Sequence, residues 1–392
     1  MNTIDLKKIK TISIILAAIG MVSIIIGFLT DVQREWASLL FNNFFFFAIA
    51  LAAAFFVAVQ YVSNSGWSIV IQRVPEAIGT YLPVALVLMA IIILGGMHSI
   101  YHWSHHDLYD PNSEHYDPII AGKQAFLNLP FFIIRMVVYM AGWLGLFYLI
   151  RKNSIAADFA PLGDNTLYKK NFRLSAIFIV FFAVTSSASS WDWLMSIDTH
   201  WFSTLFGWYI FSGMFVSSLV VITLTVLYLK SKGALPSVND SHIHDLGKFV
   251  FAFSIFWTYL WVSQFLLYWY ANIPEEITYY QERFQNFKTP LLIMLAINFV
   301  MPVLILMTRA AKQNAKILMI LGAILLIGHW VDLYLLVMPG IMGNEASVGI
   351  HEIGSFFFFA GAFLFVVFNN MSKVSLEIKN HPYIEESVHH HS

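Results

Sequence analysis

The sequence predicts an all-α integral membrane protein with about ten transmembrane helices. Three observations lead there. Only 11% of the 392 residues are charged and 58% are hydrophobic, with a mean hydropathy of +0.70, whereas a soluble domain carries about 25% charged residues. Ten apolar runs reach the ~20 residues needed to cross a bilayer: 11–30, 38–62, 79–101, 127–150, 173–191, 201–229, 248–271, 289–308, 316–338 and 353–370. The basic residues also alternate in density from one connecting segment to the next, as charge asymmetry across a membrane requires.

The net charge of −1 argues against a nucleic-acid partner. There is no cysteine, so the chain holds no disulfide, no thiolate-bound iron–sulfur cluster and no CxxCH haem. Paired axial histidines for an integral haem are also wanting, since among deep positions only His329 is suitable, with His98 and His351 nearer the surface. Without such centres the chain cannot relay electrons over distance by itself.

The first run, 11–30, follows Lys7, Lys8 and Lys10 as a signal peptide would, but its length and the lack of a small-x-small exit point to a retained helix. With the N-terminus on the cytoplasmic side, seventeen of the 22 Lys and Arg residues fall on inner segments. Four fall on outer loops (Arg34, Lys123, Arg283, Lys288), and Arg135 lies within a run. Both termini are therefore expected in the cytoplasm. The outer loops are rich in Trp, Tyr and His instead, and the longest is Tyr101–Phe126. The closing HHHS is set aside.

Ionisable residues inside spans mark functional sites by default. Arg135 and Asp332 are the charges read as lying well inside a run. At 1.5 Å per residue, Arg135 lies about 12 Å from the outer end of the fourth helix, with Tyr139 one turn on along the same face. A structural ion pair or a snorkelling side chain would explain Arg135 equally. In the ninth helix His329 and Asp332 are i, i+3, roughly 20 and 24 Å from the inner end, and suit either a packed hydrogen-bonded pair or a proton relay. Gln264 and Tyr268 fall at the outer end of the seventh helix, and His98 at that of the third. His98, His102, His105, His106 and Asp107 have spacing compatible with a metal, but a wet histidine-rich loop accounts for them and no metal is expected.

The stretch TSSASSWDWLMSIDTHW, 185–201, joins the fifth and sixth runs and places Asp192, Asp198 and His200 at the outer surface. Asp198 or Thr199 would suit the N-cap of the sixth helix, whereas Asp192 has no evident capping role. The serines between 186 and 190 allow close helix packing or line a cavity. The protonatable groups thus gather in the outer half, while the inner half offers mainly hydroxyls such as Thr223 and Thr225.

One stretch carries a family resemblance. SSWDWLMSIDTHWFSTLFGWYIFSGMF (189–215) resembles the second quinone-binding-type membrane subunit of bacterial alternative complex III, a quinol:electron-acceptor oxidoreductase. That subunit belongs to the polysulfide-reductase membrane-subunit (NrfD-like) superfamily. GGMHSIYHWSHHD (95–107) and FSIFWTYLWVSQFLLYWYANIPEEITYY (253–280) support it. The resemblance implies two four-helix bundles, helices two to five (38–191) and six to nine (192–338). Flanking segments 1–37 and 339–392 would hold peripheral helices one and ten. It also implies the bacterial inner membrane and a set of partners: a paralogous quinol-binding subunit, an iron–sulfur subunit, multihaem cytochromes c, small membrane subunits and a terminal oxidase. The clusters and haem c would reside on those partners. Quinol or quinone would be handled mainly by the paralogue, leaving this chain a quinone-like pocket, a proton route, or both. No quinol ligand is transferred from the family. A secondary transporter using Arg135 and Asp332 is a competing reading, weakened by scattered glycines and by prolines near helix ends. A structural scaffold for redox partners is a third.

Overall fold

A computed structural model describes residues 6–391, with the side chain of Leu6 left aside. The N-terminal five residues and Ser392, the last of the closing HHHS, lie outside the described residues. Among the described residues 80% are helical and none form a strand. Ten helices are long and apolar enough to cross a membrane. They are α1 (Lys7–Thr30), α2 (Val32–Val62), α3 (Arg73–Gly95), α4 (Leu129–Ala157), α5 (Thr166–Ile197), α6 (Phe206–Ser231), α7 (Asp240–Ala271), α8 (Lys288–Leu306), α9 (Ala315–Glu345) and α10 (Ile350–Met371).

Local chemistry sets their ends. Asp31, Asn128, Asn239 and Asn314 each cap a helix start by accepting backbone N–H groups, and Pro130 sits in the first turn of α4 where no donor is needed. Proline also deforms three spans. The turn at Thr80–Tyr81 interrupts α3 just before Pro83. In α8 a wide turn over Ala296–Val300 precedes Pro302, whose missing N–H leaves the Asn298 carbonyl without its usual donor. In α9, Pro339 does the same to the Leu335 carbonyl.

α2 and α6 form the centre. Over their most apolar 18 residues they are 83% and 72% buried, against 22% for α1. α2 packs on α3, α5, α6, α9 and α10; α6 packs on α2, α5, α7 and α9. Helices α2–α5 close one ring and α6–α9 a second, with α2, α5, α6 and α9 joining them. α1 and α10 pair at the side, where glycine permits close approach: a Cβ on Gly20 would stand 2.2 Å from the Phe358 backbone nitrogen. After α10 the chain crosses the Lys-rich end of the molecule. Asn380 donates to the Ala157 and Pro161 carbonyls, Ser387 donates to the Trp67 carbonyl, and His390 pairs with Asp245 at 2.6 Å. His390 of the closing histidines is thus part of the folded structure.

Several sequence expectations are corrected here. Three spans begin before their apolar runs, at Val32, Arg73 and Ile350, so Glu35, Arg73, Glu76 and Glu352 are also charges buried inside helices. The sixth helix begins at Phe206 rather than 201, and its N-cap position is Leu205, so neither Asp198 nor Thr199 caps it. The Lys-rich end holds more than hydroxyls. Arg73 bridges Glu76 (2.6 Å) and Asp158 (2.5 Å), and Ser154 donates to Glu76 (2.5 Å).

Candidate functional site

The core of the α6–α9 ring holds polar groups from all four of its helices. Asp332 of α9 is 5% exposed; its two oxygens accept from the Tyr209 hydroxyl of α6 and from Trp257 Nε1 of α7 at 3.1 Å. His329, one turn earlier, is 2% exposed and stands edge-on to the Trp257 ring at 5.4 Å between centroids. Neither of its ring nitrogens has a hydrogen-bond partner among the described residues. Asn298, in the wide turn of α8, is fully buried and both atoms of its amide are likewise without a partner. It reaches α9 because residue 328 is glycine: a Cβ there would meet Asn298 Oδ1 at 2.1 Å. A cavity of about 20 Å³ lies between Tyr209, Gly213, Ser217, His329 and Asp332, with Phe44 and Phe45 of α2 closing it. That is room for one water molecule and far below the 300–1,000 Å³ of a typical organic-ligand pocket.

His329 and Asp332 therefore do share a region, but not as the hydrogen-bonded pair their i, i+3 spacing suggests. Asp332 is satisfied by other helices, and the two ring nitrogens of His329 have no hydrogen-bond partner among the described residues. Buried polar groups are nearly always paired, so an unpaired His329 beside the Asp332 carboxylate, with an unpaired Asn298 packed on the same helix at Gly328, singles out this place. An aspartate, an imidazole and a tyrosine hydroxyl next to a water-sized space can pass a proton.

Arg135, Tyr139 and Asp192 come together in the α2–α5 ring. Arg135 Nε and Nη2 donate to Asp192 Oδ2 and Oδ1 at 2.8 and 2.7 Å, and the Tyr139 hydroxyl donates to Oδ2 at 3.0 Å. Nη1 donates to the Phe126 carbonyl at 3.0 Å, while the Phe126 and Phe131 rings cover the guanidinium at 3.9 and 4.3 Å. Every strong group in this cluster is engaged, so it forms a closed ion pair.

The remaining predicted residues lie toward the Lys-poor end. Asp198 pairs with Arg283 at 3.0 Å. Arg283 comes from the amphipathic helix Pro274–Asn286 and also donates to the Leu335 carbonyl at 3.0 Å, supplying the donor that Pro339 lacks. Its guanidinium lies 3.4 Å from the Tyr279 ring centroid, and Trp201 stacks on the other side at 4.0 Å. Burial works against its charge, but Tyr279, Asp198 and Glu282 outweigh that and hold its pKa above the ordinary arginine value. Gln264 donates to the Tyr280 hydroxyl (2.9 Å) and accepts from Ser203 (3.3 Å); Tyr268 donates to the Phe202 carbonyl (2.5 Å). His200 is half-exposed and pairs with Asp117 at 2.5 Å. Slight burial would raise the Asp117 pKa, yet the Ile119 and Ile120 N–H groups and His200 draw it below the usual carboxylate value. His98 is exposed and contacts Ser104 at 2.9 Å. None of these reaches Asp332 directly.

A third cluster escaped sequence reasoning. Where α1, α2 and α10 meet, Arg34 pairs with Glu352 at 2.8 Å and Glu35 with His351, also at 2.8 Å, and both carboxylates are fully buried. Asn42 links them to Ser355 and to Trp330 of α9. The available signal was a pair of adjacent charges at each helix start, Arg34–Glu35 and His351–Glu352, which reads as ordinary flanking charge.

No protein-family model matches the chain, and no curated protein matches it in sequence.

Proposed function

We propose that this chain is a membrane subunit of a respiratory quinol-oxidising complex, and that its own task is to carry protons through the α6–α9 ring by way of His329, Asp332 and Tyr209. The 189–215 resemblance supports the assignment to the complex. The observation that carries the proton role is Asp332, held by Tyr209 and Trp257 beside a His329 with no hydrogen-bond partner among the described residues and a space fit for one water.

Quinone chemistry within this chain is poorly supported. The cavity beside Asp332 is too small for a quinol ring. The larger apolar groove on the α9–α10 side is lined by no carboxylate or histidine, yet quinol oxidation needs a base to take its proton. The reading therefore leaves quinol, iron–sulfur clusters and haem c to partner subunits. It places the N-terminus in the cytoplasm of a bacterial cell, with the Lys-rich end inward, on the charge asymmetry.

A secondary transporter stays as the second reading because of one feature. The disrupted turn of α8 at Asn298 packs against Gly328 of α9 midway along the span, as substrate sites in transporters use interrupted helices. Against it, Arg135 and Asp332 lie in different rings, and Arg135 is already neutralised by Asp192. Purification of the native chain from its own membrane separates the readings. Co-elution with an iron–sulfur protein and c-type cytochromes, with quinol oxidation by the eluate, is the expected result. Elution alone overturns the assignment to a complex.

A further inference from the structure

A groove of about 670 Å³ opens on the lateral surface between α6, α9 and α10, with α2 as its floor. It exists because α10 leans on α1, α2 and α3 while α9 packs on α2, α6 and α8. Small side chains at Ala323 and Ala360 deepen it. Its lining along α10 runs from Ile353 to Phe368, about 22 Å at 1.5 Å per residue. That is most of the ~30 Å thickness of a bilayer's hydrocarbon core. Apart from the Tyr228 hydroxyl at one end, the polar groups in the lining are engaged: Thr225 donates to the Val221 carbonyl and Trp330 Nε1 to Asn42. Such a lining suits a hydrocarbon chain, which offers no polar atom to leave unpaired.

Charge at one end identifies what that chain is attached to. The groove ends at Tyr228 and Phe368, which pack edge to face. Lys232 extends from Tyr228, with its Nζ 6.0 Å from that ring, and is exposed. Lys373 follows the last turn of α10 and Lys316 opens α9, both exposed as well. Each of the three helices that wall the groove thus presents a lysine at the same end. Lys230 is engaged by Asp240 and is not counted. Basic sites between helices on the Lys-rich side of a membrane hold anionic headgroups.

We propose that this groove is a binding site for one anionic phospholipid, with an acyl chain along α10 and its phosphate against Lys232 and Lys373. The site is independent of the proton role and of the identity of the complex, so either can fail alone.

The test uses the full chain purified in mild detergent, stripped of lipid, and returned to nanodiscs of phosphatidylcholine and phosphatidylglycerol in a 3:1 ratio. Retained lipid is counted by native mass spectrometry after release into detergent. The expected result is about one retained lipid per chain, with a phosphatidylglycerol-to-phosphatidylcholine ratio roughly tenfold above the 1:3 of the mixture. Lys232→Gln with Lys373→Gln should keep a bound phospholipid but lose the enrichment, and Ala360→Trp should remove the lipid by filling the groove. Equal retention of both lipids by the native sequence overturns the proposal. So does undiminished retention in Ala360→Trp, or no retained lipid at all, the result expected if a partner's helix fills the groove. The lysine pair lies outside the packed core, so its outcome stands even if Ala360→Trp fails to fold.

Discussion

Replacing Asp192 by Asn tests the closed ion pair of the α2–α5 ring. The change preserves side-chain volume but removes the charge that balances Arg135. Arg135 has a 9% exposed side chain and Asp192 a 1% exposed one, so neither charge is solvated in compensation. Breaking a buried pair by removing one partner costs about 3–5 kcal/mol. Part of Arg135's environment survives: the Phe126 carbonyl at 3.0 Å and the Phe126 and Phe131 ring faces. Two cation–π contacts of about 0.5–1 kcal/mol each place the expected loss near the lower figure, about 3 kcal/mol. The new amide would also direct N–H donors at the Arg135 or Tyr139 donors that now meet carboxylate oxygens. The assay is reversible unfolding in mixed micelles, followed by far-UV circular dichroism. Arg135→Gln should be similarly damaging, and the double variant should recover more than half of the summed loss, because no unpaired charge remains. A loss below about 1 kcal/mol for Asp192→Asn, or additive losses in the double variant, would refute the reasoning.

Three further outcomes follow from the same geometry. Arg283→Gln should destabilise by about 3 kcal/mol, with Arg283→Lys no better because it cannot reproduce the fork; Pro339→Ala in the Arg283→Gln background should recover part of it by restoring a donor to Leu335, as unfolding curves would reveal. Gly328→Ala should cost about 1–3 kcal/mol and be partly relieved by Asn298→Ala, which removes the clash with Asn298 Oδ1 at 2.1 Å but leaves that with Ile297 Cγ2 at 2.5 Å. Burial, aided by Arg73, pushes the pKa of His381 in the C-terminal tail down to about 4. Between that value and the ~6.5 of an unfolded histidine the unfolded state binds more protons. Docking of the tail is therefore complete above about pH 6.5 and weakens as pH falls toward 4. Hydrogen exchange of residues 375–391, corrected for intrinsic rates, should lose protection at pH 5, and His381→Asn should flatten the dependence.

The ten spans were legible because hydropathy reports burial in lipid directly. Their ends were not, because caps such as Asp31 and Asn239 lie several residues beyond the apolar runs and draw Glu35 and Asp245 into helices. The polar residues were largely visible as costly exceptions, and Arg135 and Tyr139, four apart on one face, both meet Asp192. Partnership was not visible. Arg135 meets Asp192 from 57 residues away and Arg34 meets Glu352 from 318 away, so helix packing alone decides such pairs. The i, i+3 spacing of His329 and Asp332 suggested a local bond, but Tyr209 and Trp257 from facing helices claim the carboxylate. Asn298 stood in an unremarkable apolar run; Pro302 four residues on was its only signal.

The central claim is that Asp332 carries protons. The direct measurement is proton release per quinol oxidised by the native complex in sealed proteoliposomes, compared with a fully assembled Asp332→Asn complex. The account predicts normal assembly with proton release reduced severalfold and little change in the stability of the subunit. Unchanged proton release and turnover in a correctly assembled Asp332→Asn complex would contradict it.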